Sequence, residues 1–127
     1  MCGIIGSISD RFRFTQQDIA VLSHRGPDDE GLFIEDDVML GHTRLSIVDV
    51  SANGHQPMVS SDGNYLLIFN GEIYNHLSIR QELQVKGYRF TSGADTETLL
   101  YGYAEYGKDI LNQLNGIFAF AIFDRKK

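Results

Sequence analysis

The sequence predicts one compact domain in which strands and helices are mixed. Two observations carry this reading. Gly3–Ile8, Tyr65–Phe69 and Ile117–Phe123 are apolar runs of strand length. Leu77–Val85 and the stretch after Asp95 instead space their apolar residues as a helix does. Size agrees: 127 residues, 43% of them hydrophobic and only two of them proline, fit a single buried core.

Each element has a local reason. Gly3–Ile8 is a short apolar strand. Thr15-Gln-Gln-Asp18 has the spacing of a capping box and opens a brief helix with Ile19 and Leu22 on one face. Arg25 to Gly31 is a loop with a Gly-Pro turn signal, and strands follow near Leu32–Glu35 and Val38–His42. In Leu77–Val85, Ile79 and Leu83 share a face and Gly87 supplies a stop. Asp95 is a suitable N-cap for a helix whose Leu99, Leu100, Tyr103 and Ala104 form a stripe. Gly116–Asp124 is the last strand.

Tyr65–Phe69 and Ile117–Phe123 do not alternate, so burial on both faces is expected. A parallel sheet under helices would satisfy that. So would a sheet packed on a second sheet, with helices on its other side; periodicity does not choose. The charged Arg125-Lys126-Lys127 directly after so apolar a strand is read as a sign that more chain follows.

Composition excludes several functions. The net charge of −6 argues against a nucleic-acid footprint, which needs a clustered basic face. One cysteine cannot form an intrachain disulfide, and a free thiol suits a reducing compartment. The N-terminus lacks the basic flank and apolar core of a signal peptide. The longest apolar run falls far short of the roughly 20 residues a membrane helix needs. A cytoplasmic setting without membrane or nucleic-acid partners is the expectation.

Cys2 is the first candidate for chemistry. A lone cysteine is commonly just a small hydrophobe, but aminopeptidase removal of Met1 would leave this one at the N-terminus. An α-amine titrates near 7.7–8.0, roughly, and can serve as the base for its own residue's thiol. Gly3 beside it leaves room for a substrate. Asn70-Gly71-Glu72 follows an apolar strand and reads either as a turn or as an oxyanion hole built from the Asn70 amide and Gly71 N–H. Arg44 and Asp95 would complement the carboxylate and ammonium of an amino acid, although each also has a plain reading, as a solvated charge and a helix cap.

Other polar groups point nowhere in particular. His24, His42, His55 and His76 lack the spacing of a ligand set, so no metal site is expected. Asp28-Asp29-Glu30 and Glu35-Asp36-Asp37 read as solvated loop faces, and no Gly-x-x-x-x-Gly-Lys-Ser/Thr element is present.

Seven segments, in order, carry a resemblance. They are Met1-Cys-Gly-Ile-Ile-Gly6, His24-Arg-Gly-Pro-Asp28 with Gly31, Gly41-His-Thr-Arg-Leu-Ser-Ile-Val-Asp49, Gly54-His-Gln-Pro57, Phe69-Asn-Gly-Glu-Ile-Tyr-Asn-His76, Asp95-Thr-Glu97 and Leu114-Asn-Gly-Ile-Phe-Ala-Phe120. Together they resemble the amidotransferase half of glutamine-dependent asparagine synthetases, within the class II amidotransferases. That wider class includes glucosamine-6-phosphate synthase and the first enzyme of purine synthesis.

The resemblance implies an α+β fold, the four-layer α-β-β-α sandwich of N-terminal-nucleophile hydrolases. It implies that Cys2 attacks the side-chain amide of L-glutamine, and that Asn70 and Gly71 hold the oxyanion. Arg44 would bind the substrate carboxylate and Asp95 its ammonium; backbone of Leu45, Ser46, Ile47, Val48 and Glu72 would line the pocket, with Arg25 in support. No cofactor is expected in residues 1–127; Mg-ATP would belong to a C-terminal synthetase domain, which would receive the ammonia. A homodimer is a further expectation.

Two departures from the family stand out. Its glutaminase domain continues with more strands, so the domain here is read as C-terminally truncated, and the Gly6–His24 segment is short. Rival readings are an enzyme amidating another acceptor, such as a sugar acid or antibiotic precursor, and a non-catalytic glutamine-binding module.

Overall fold

The computed structural model describes residues 1–47 and 49–127. In chain order the elements are β1 (Gly3–Ile8), α1 (Gln16–Ala20), β2 (Asp29–Glu35), β3 (Val38–Arg44), β4 (Met58–Val59), β5 (Tyr65–Ile73), α2 (His76–Val85), α3 (Asp95–Tyr106) and β6 (Gly116–Asp124). Short 3-10 segments lie at Ala52–Gly54 and Gly107–Asn112. The strands form two antiparallel sheets, ordered β1-β3-β2 and β4-β5-β6.

Side-chain alternation along β3 and β5 stacks those sheets. Val38 and Leu40 meet Leu66 and Ile68 between them. Met39, on the other face of β3, packs with Phe14 and Ile19 beneath α1. Leu67, Phe69 and Ile73 pack outward against Ile79 and Leu83 of α2 and Leu99 and Leu100 of α3. The layers therefore run α1, sheet, sheet, α2 with α3. This resolves the choice that periodicity leaves open, in favour of stacked sheets. Leu67, Leu83 and Leu99 are fully buried, and each such side chain stabilises the fold by about 1.5–3 kcal/mol.

The helix ends are built locally. Thr15 accepts from the Asp18 N–H while the Asp18 carboxylate accepts from the Thr15 N–H, a complete capping box. At the end of α2, the N–H groups of Gly87 and Tyr88 bond back to Gln84 and Leu83.

Four expectations are corrected. β2 starts at Asp29 rather than Leu32, because the presumed loop is paired with Arg44, Thr43 and His42 of β3. β5 runs on through Asn70-Gly71-Glu72, which are held extended by pairing with Ala119, Phe118 and Ile117, so no turn forms there. Asp95 is the first residue of α3, not its cap; Ala94 holds the cap position and makes no side-chain cap bond. β6 is only partly buried, with Ile117 69% exposed, because among the described residues its second edge has no partner strand.

His42 is fully buried between the sheets, where its Nε2 lies 3.1 Å from the Phe69 carbonyl while Nδ1 has no partner among the described residues. Burial pushes its pKa down from 6.5 to about 4, outweighing the opposing Phe69 hydrogen bond. The unfolded chain thus takes up this proton first, so the stabilising contribution is present above pH 6.5 and is lost as pH falls toward 4. Urea denaturation across that window is expected to show a loss of up to about 3 kcal/mol that His42→Gln does not share. Parallel pH profiles for the two proteins would contradict this.

Candidate active site

Cys2 directly precedes β1, and the Gly3–Thr43 pairing sets it beside the end of β3. The Leu45 N–H donates to Cys2 Sγ at 3.3 Å, and Arg25 Nε donates to the Cys2 carbonyl at 3.1 Å. The sulfur is thus aimed by one backbone group while its own backbone is fixed from the other side. Gly3 serves packing rather than substrate access: a Cβ there would lie 2.5 Å from Thr43 Oγ1.

A cavity of about 240 Å³ opens in front of the sulfur. Of the residues expected from sequence, Cys2, Arg44, Leu45, Ile47, Asn70, Gly71, Glu72 and Asp95 line it. Arg25 lies behind Cys2. Ser46 faces a neighbouring depression instead, with its N–H bonded to Asp28 at 2.8 Å. Val48 lies outside the described residues.

Arg44 is buried rather than a solvated surface charge. Its guanidinium donates to the Ser51 carbonyl at 2.7 Å and to the Asp49 carbonyl. Among the described residues no carboxylate pairs with it. Neutral carbonyls orient the fork without a contact ion pair, so the cavity favours an anion at this wall.

Asp95 lies on the cavity wall and is equally buried. Its carboxylate accepts from the Ile73 N–H at 2.9 Å and the Thr96 N–H at 3.0 Å. The loop before it is tied down by Glu97, whose carboxylate accepts from the backbone N–H and hydroxyl of both Thr91 and Ser92.

The free edge of β5 completes the site. Tyr74 N–H and Arg125 N–H bond across to Asn115 and Asn64, so even-numbered residues of β5 face β6 and odd-numbered ones face away. On that outward edge β4 covers only Leu66 and Leu67. Beyond it, side chains cap what is left: the Phe69 N–H donates to Gln56 Oε1 at 2.7 Å, His42 meets the Phe69 carbonyl, and Asp95 takes the Ile73 N–H. Gly71 sits between these capped groups, and no described side chain accepts from its N–H. The Asn70 side-chain amide is also unengaged; its Oδ1 is buried without a partner. The Gly71 N–H and the Asn70 amide are thus both left unengaged on one strand, at the wall of the cavity that Cys2 lines.

The whole chain, residues 1–127, matches the family described as the glutamine amidotransferase domain. The chain belongs to this family.

Among relatives of this amidotransferase domain, asparagine synthetase [glutamine-hydrolyzing] 1 of Bacillus subtilis is 41% identical, the match covering 98% of this chain and 21% of that protein. Asparagine synthetase B [glutamine-hydrolyzing] of Escherichia coli is 45% identical over 84% of this chain and 19% of that protein. The chain therefore spans about a fifth of the length of these curated relatives. The glutamine phosphoribosylpyrophosphate amidotransferase of B. subtilis shares the fold, with a TM-score of 0.61 and 24% identity over 72% of this chain and 22% of that one.

Three residues of the amidotransferase domain were given no role by sequence reasoning. Gln56 and Asp49 line the cavity, and Glu97 steadies Asp95. All three sit inside motifs that carried the resemblance, but nothing in their residue type announces a backbone-capping task. Asp49 accepts from the Ser51 N–H and the Gly93 N–H, both at 2.7 Å, joining the Arg44 side of the site to the loop before Asp95. Hydrogen bonds from Ser51 and then Gly93 hold its carboxyl down to about 2. Asp28 and Asp29 are likewise engaged, the latter with His55 Nδ1 at 2.5 Å. Among the described residues no three His, Cys, Asp or Glu side chains converge as a metal ligand set.

Proposed function

We propose that this domain hydrolyses L-glutamine to glutamate and ammonia through a γ-glutamyl thioester on Cys2. The observation that carries this is the shared cavity: a thiol, two unengaged donors on β5, and buried Arg44 and Asp95 on its walls. Arg44 takes the substrate carboxylate and Asp95 its ammonium, which directs the side-chain amide to the sulfur.

While Met1 is attached the Cys2 nitrogen is an amide and carries no basic lone pair. Once Met1 is removed, the free amine accepts the thiol proton as sulfur bonds to the amide carbon. Oxyanion charge then falls on the Asn70 amide and the Gly71 N–H. The amine passes the proton to nitrogen, the carbon–nitrogen bond breaks, and ammonia leaves. Water, deprotonated by the same amine, adds to the thioester, and collapse releases glutamate and the thiol.

The names of the sequence relatives support a wider reading. In it, a synthetase domain beyond these residues uses Mg-ATP to activate an acceptor carboxylate, aspartate in the first instance, for attack by the ammonia. A cytoplasmic homodimer belongs to the same reading.

The test is a glutamine analogue with an electrophilic ketone in place of its side-chain amide, applied to protein with Cys2 at its N-terminus. Mass spectrometry is expected to find one adduct, on the Cys2 peptide, suppressed by excess glutamine. Absence of the adduct, or labelling that glutamine does not suppress, would sink the reading. Glutamine binding without release of glutamate would point to a regulatory module instead.

A further inference from the structure

Gln56 is neither nucleophile nor charge, yet it is 5% exposed and has both ends of its amide engaged. Oε1 accepts from the Phe69 N–H at 2.7 Å, and Nε2 donates to Thr96 Oγ1 at 3.4 Å. Phe69 is the residue before Asn70, and Thr96 is the residue after Asp95. One side chain therefore spans from the strand that presents the unengaged donors to the helix that presents the buried carboxylate. Its own backbone is fixed by close packing on β2, where a Cβ on Gly31 would lie 1.9 Å from the Gln56 carbonyl oxygen.

We propose that Gln56 is a positioning residue of the glutamine site, holding the oxyanion donors of β5 in fixed relation to the Asp95 end of α3. The proposal rests on the glutamine reading above. Among the described residues the outward edge of β5 has no neighbouring strand at Phe69, and its N–H is set by Gln56; His42 holds only the carbonyl of the same residue. Removing the Gln56 acceptor leaves a buried N–H unsatisfied, and the peptide turns to find a partner. Asn70 and Gly71 follow directly and move with it. Arg44 and Asp95 keep their backbone partners, so ground-state binding persists while the developing oxyanion loses alignment. A displacement of about 1 Å costs on the order of 100-fold in rate.

Gln56→Met keeps length and removes the amide. In protein with Cys2 at its N-terminus, kcat for glutamine hydrolysis is expected to fall on the order of 100-fold. KM, and the Kd of L-glutamate by calorimetry, are expected to stay within about threefold. Amide hydrogen exchange should quicken at Phe69 and leave Asn70 and Glu72, which face β6, protected. A kcat within twofold of the parent would overturn the proposal. So would a joint loss of kcat, glutamate binding and thermal midpoint, which marks a merely structural role.

If Gln56→Met does not fold, Thr96→Val removes only the far half of the link. It should lower kcat with glutamate affinity retained, and unchanged kcat would again overturn the idea. If the parent protein itself releases no glutamate, the glutamine reading fails on its own. Exchange at Phe69 in Gln56→Met still decides whether Gln56 holds the strand, and unaltered exchange overturns that.

Discussion

Replacement of Cys2 by alanine is expected to lower glutamine turnover on the order of 10⁶-fold, the scale of loss when a covalent nucleophile is removed. No second thiol can substitute, because the chain has a single cysteine. Binding should survive. Arg44 is oriented by the carbonyls of Asp49 and Ser51, and Asp95 by the N–H groups of Ile73 and Thr96; none of these bonds involves the sulfur. The Leu45 N–H loses its acceptor, but it faces the cavity, where water replaces the bond at small cost to stability. Ammonia release and glutamine calorimetry on the same preparation separate the two effects. Turnover within about 100-fold of the parent would remove Cys2 from the role of nucleophile, whatever the variant's affinity.

The parts of this fold legible from sequence are those whose causes are local. The capping box at Thr15 needs only three neighbouring residues, and Ile79 with Leu83 needs only one helix face. Tyr65–Phe69 and Gly116–Asp124 were legible as strands, but not which strand each pairs with or what lies above them. Unbroken apolar runs such as Tyr65–Phe69 look alike under helices or under a second sheet, and the stacked arrangement came from family resemblance alone. Asn70-Gly71 shows the limit most clearly. The dipeptide favours a turn, and it stays extended because β6, over forty residues later in the chain, pairs with it. Asp95 has the right residue type for a cap, yet its carboxylate is drawn to Ile73 of another element. Cys2, Arg44, Asn70 and Asp95 were each readable as ordinary residues. What sets them apart is that they converge on one cavity from separate elements, a tertiary fact that no window of sequence contains. Gln56 was the least visible, since a neutral amide bonded to a backbone N–H leaves no periodicity, charge or spacing to detect.

Gly71→Ala is expected to damage stability and turnover together, through the backbone alone. Gly71 has φ +145°, a conformation that residues with a Cβ rarely adopt and that costs about 1–3 kcal/mol when forced. Space forbids the methyl as well. It would stand 2.2 Å from the Ile117 carbonyl oxygen and 2.6 Å from Phe118 Cα, which are backbone atoms of β6 and cannot swing aside as a side-chain tip can. Glycine here lets two strands approach. To relieve the contact, either β6 withdraws, losing ladder bonds around Asn70–Glu72, or the Gly71 peptide rotates. Both routes take the Gly71 N–H out of the gap between the capped N–H groups of Phe69 and Ile73. Losing one oxyanion donor costs about 100- to 1,000-fold in kcat, and the strain should lower the unfolding free energy by at least about 2 kcal/mol. Gly87→Ala provides the contrast. Its φ is also positive, at +101°, but no atom lies within 4 Å of the added carbon and the cavity is elsewhere, so stability falls modestly and turnover does not follow. Urea denaturation and glutamine turnover on the two alanine variants separate general backbone strain from loss of the donor. A Gly71→Ala protein with parental stability and turnover within tenfold would mean that the β5 edge does not hold the oxyanion.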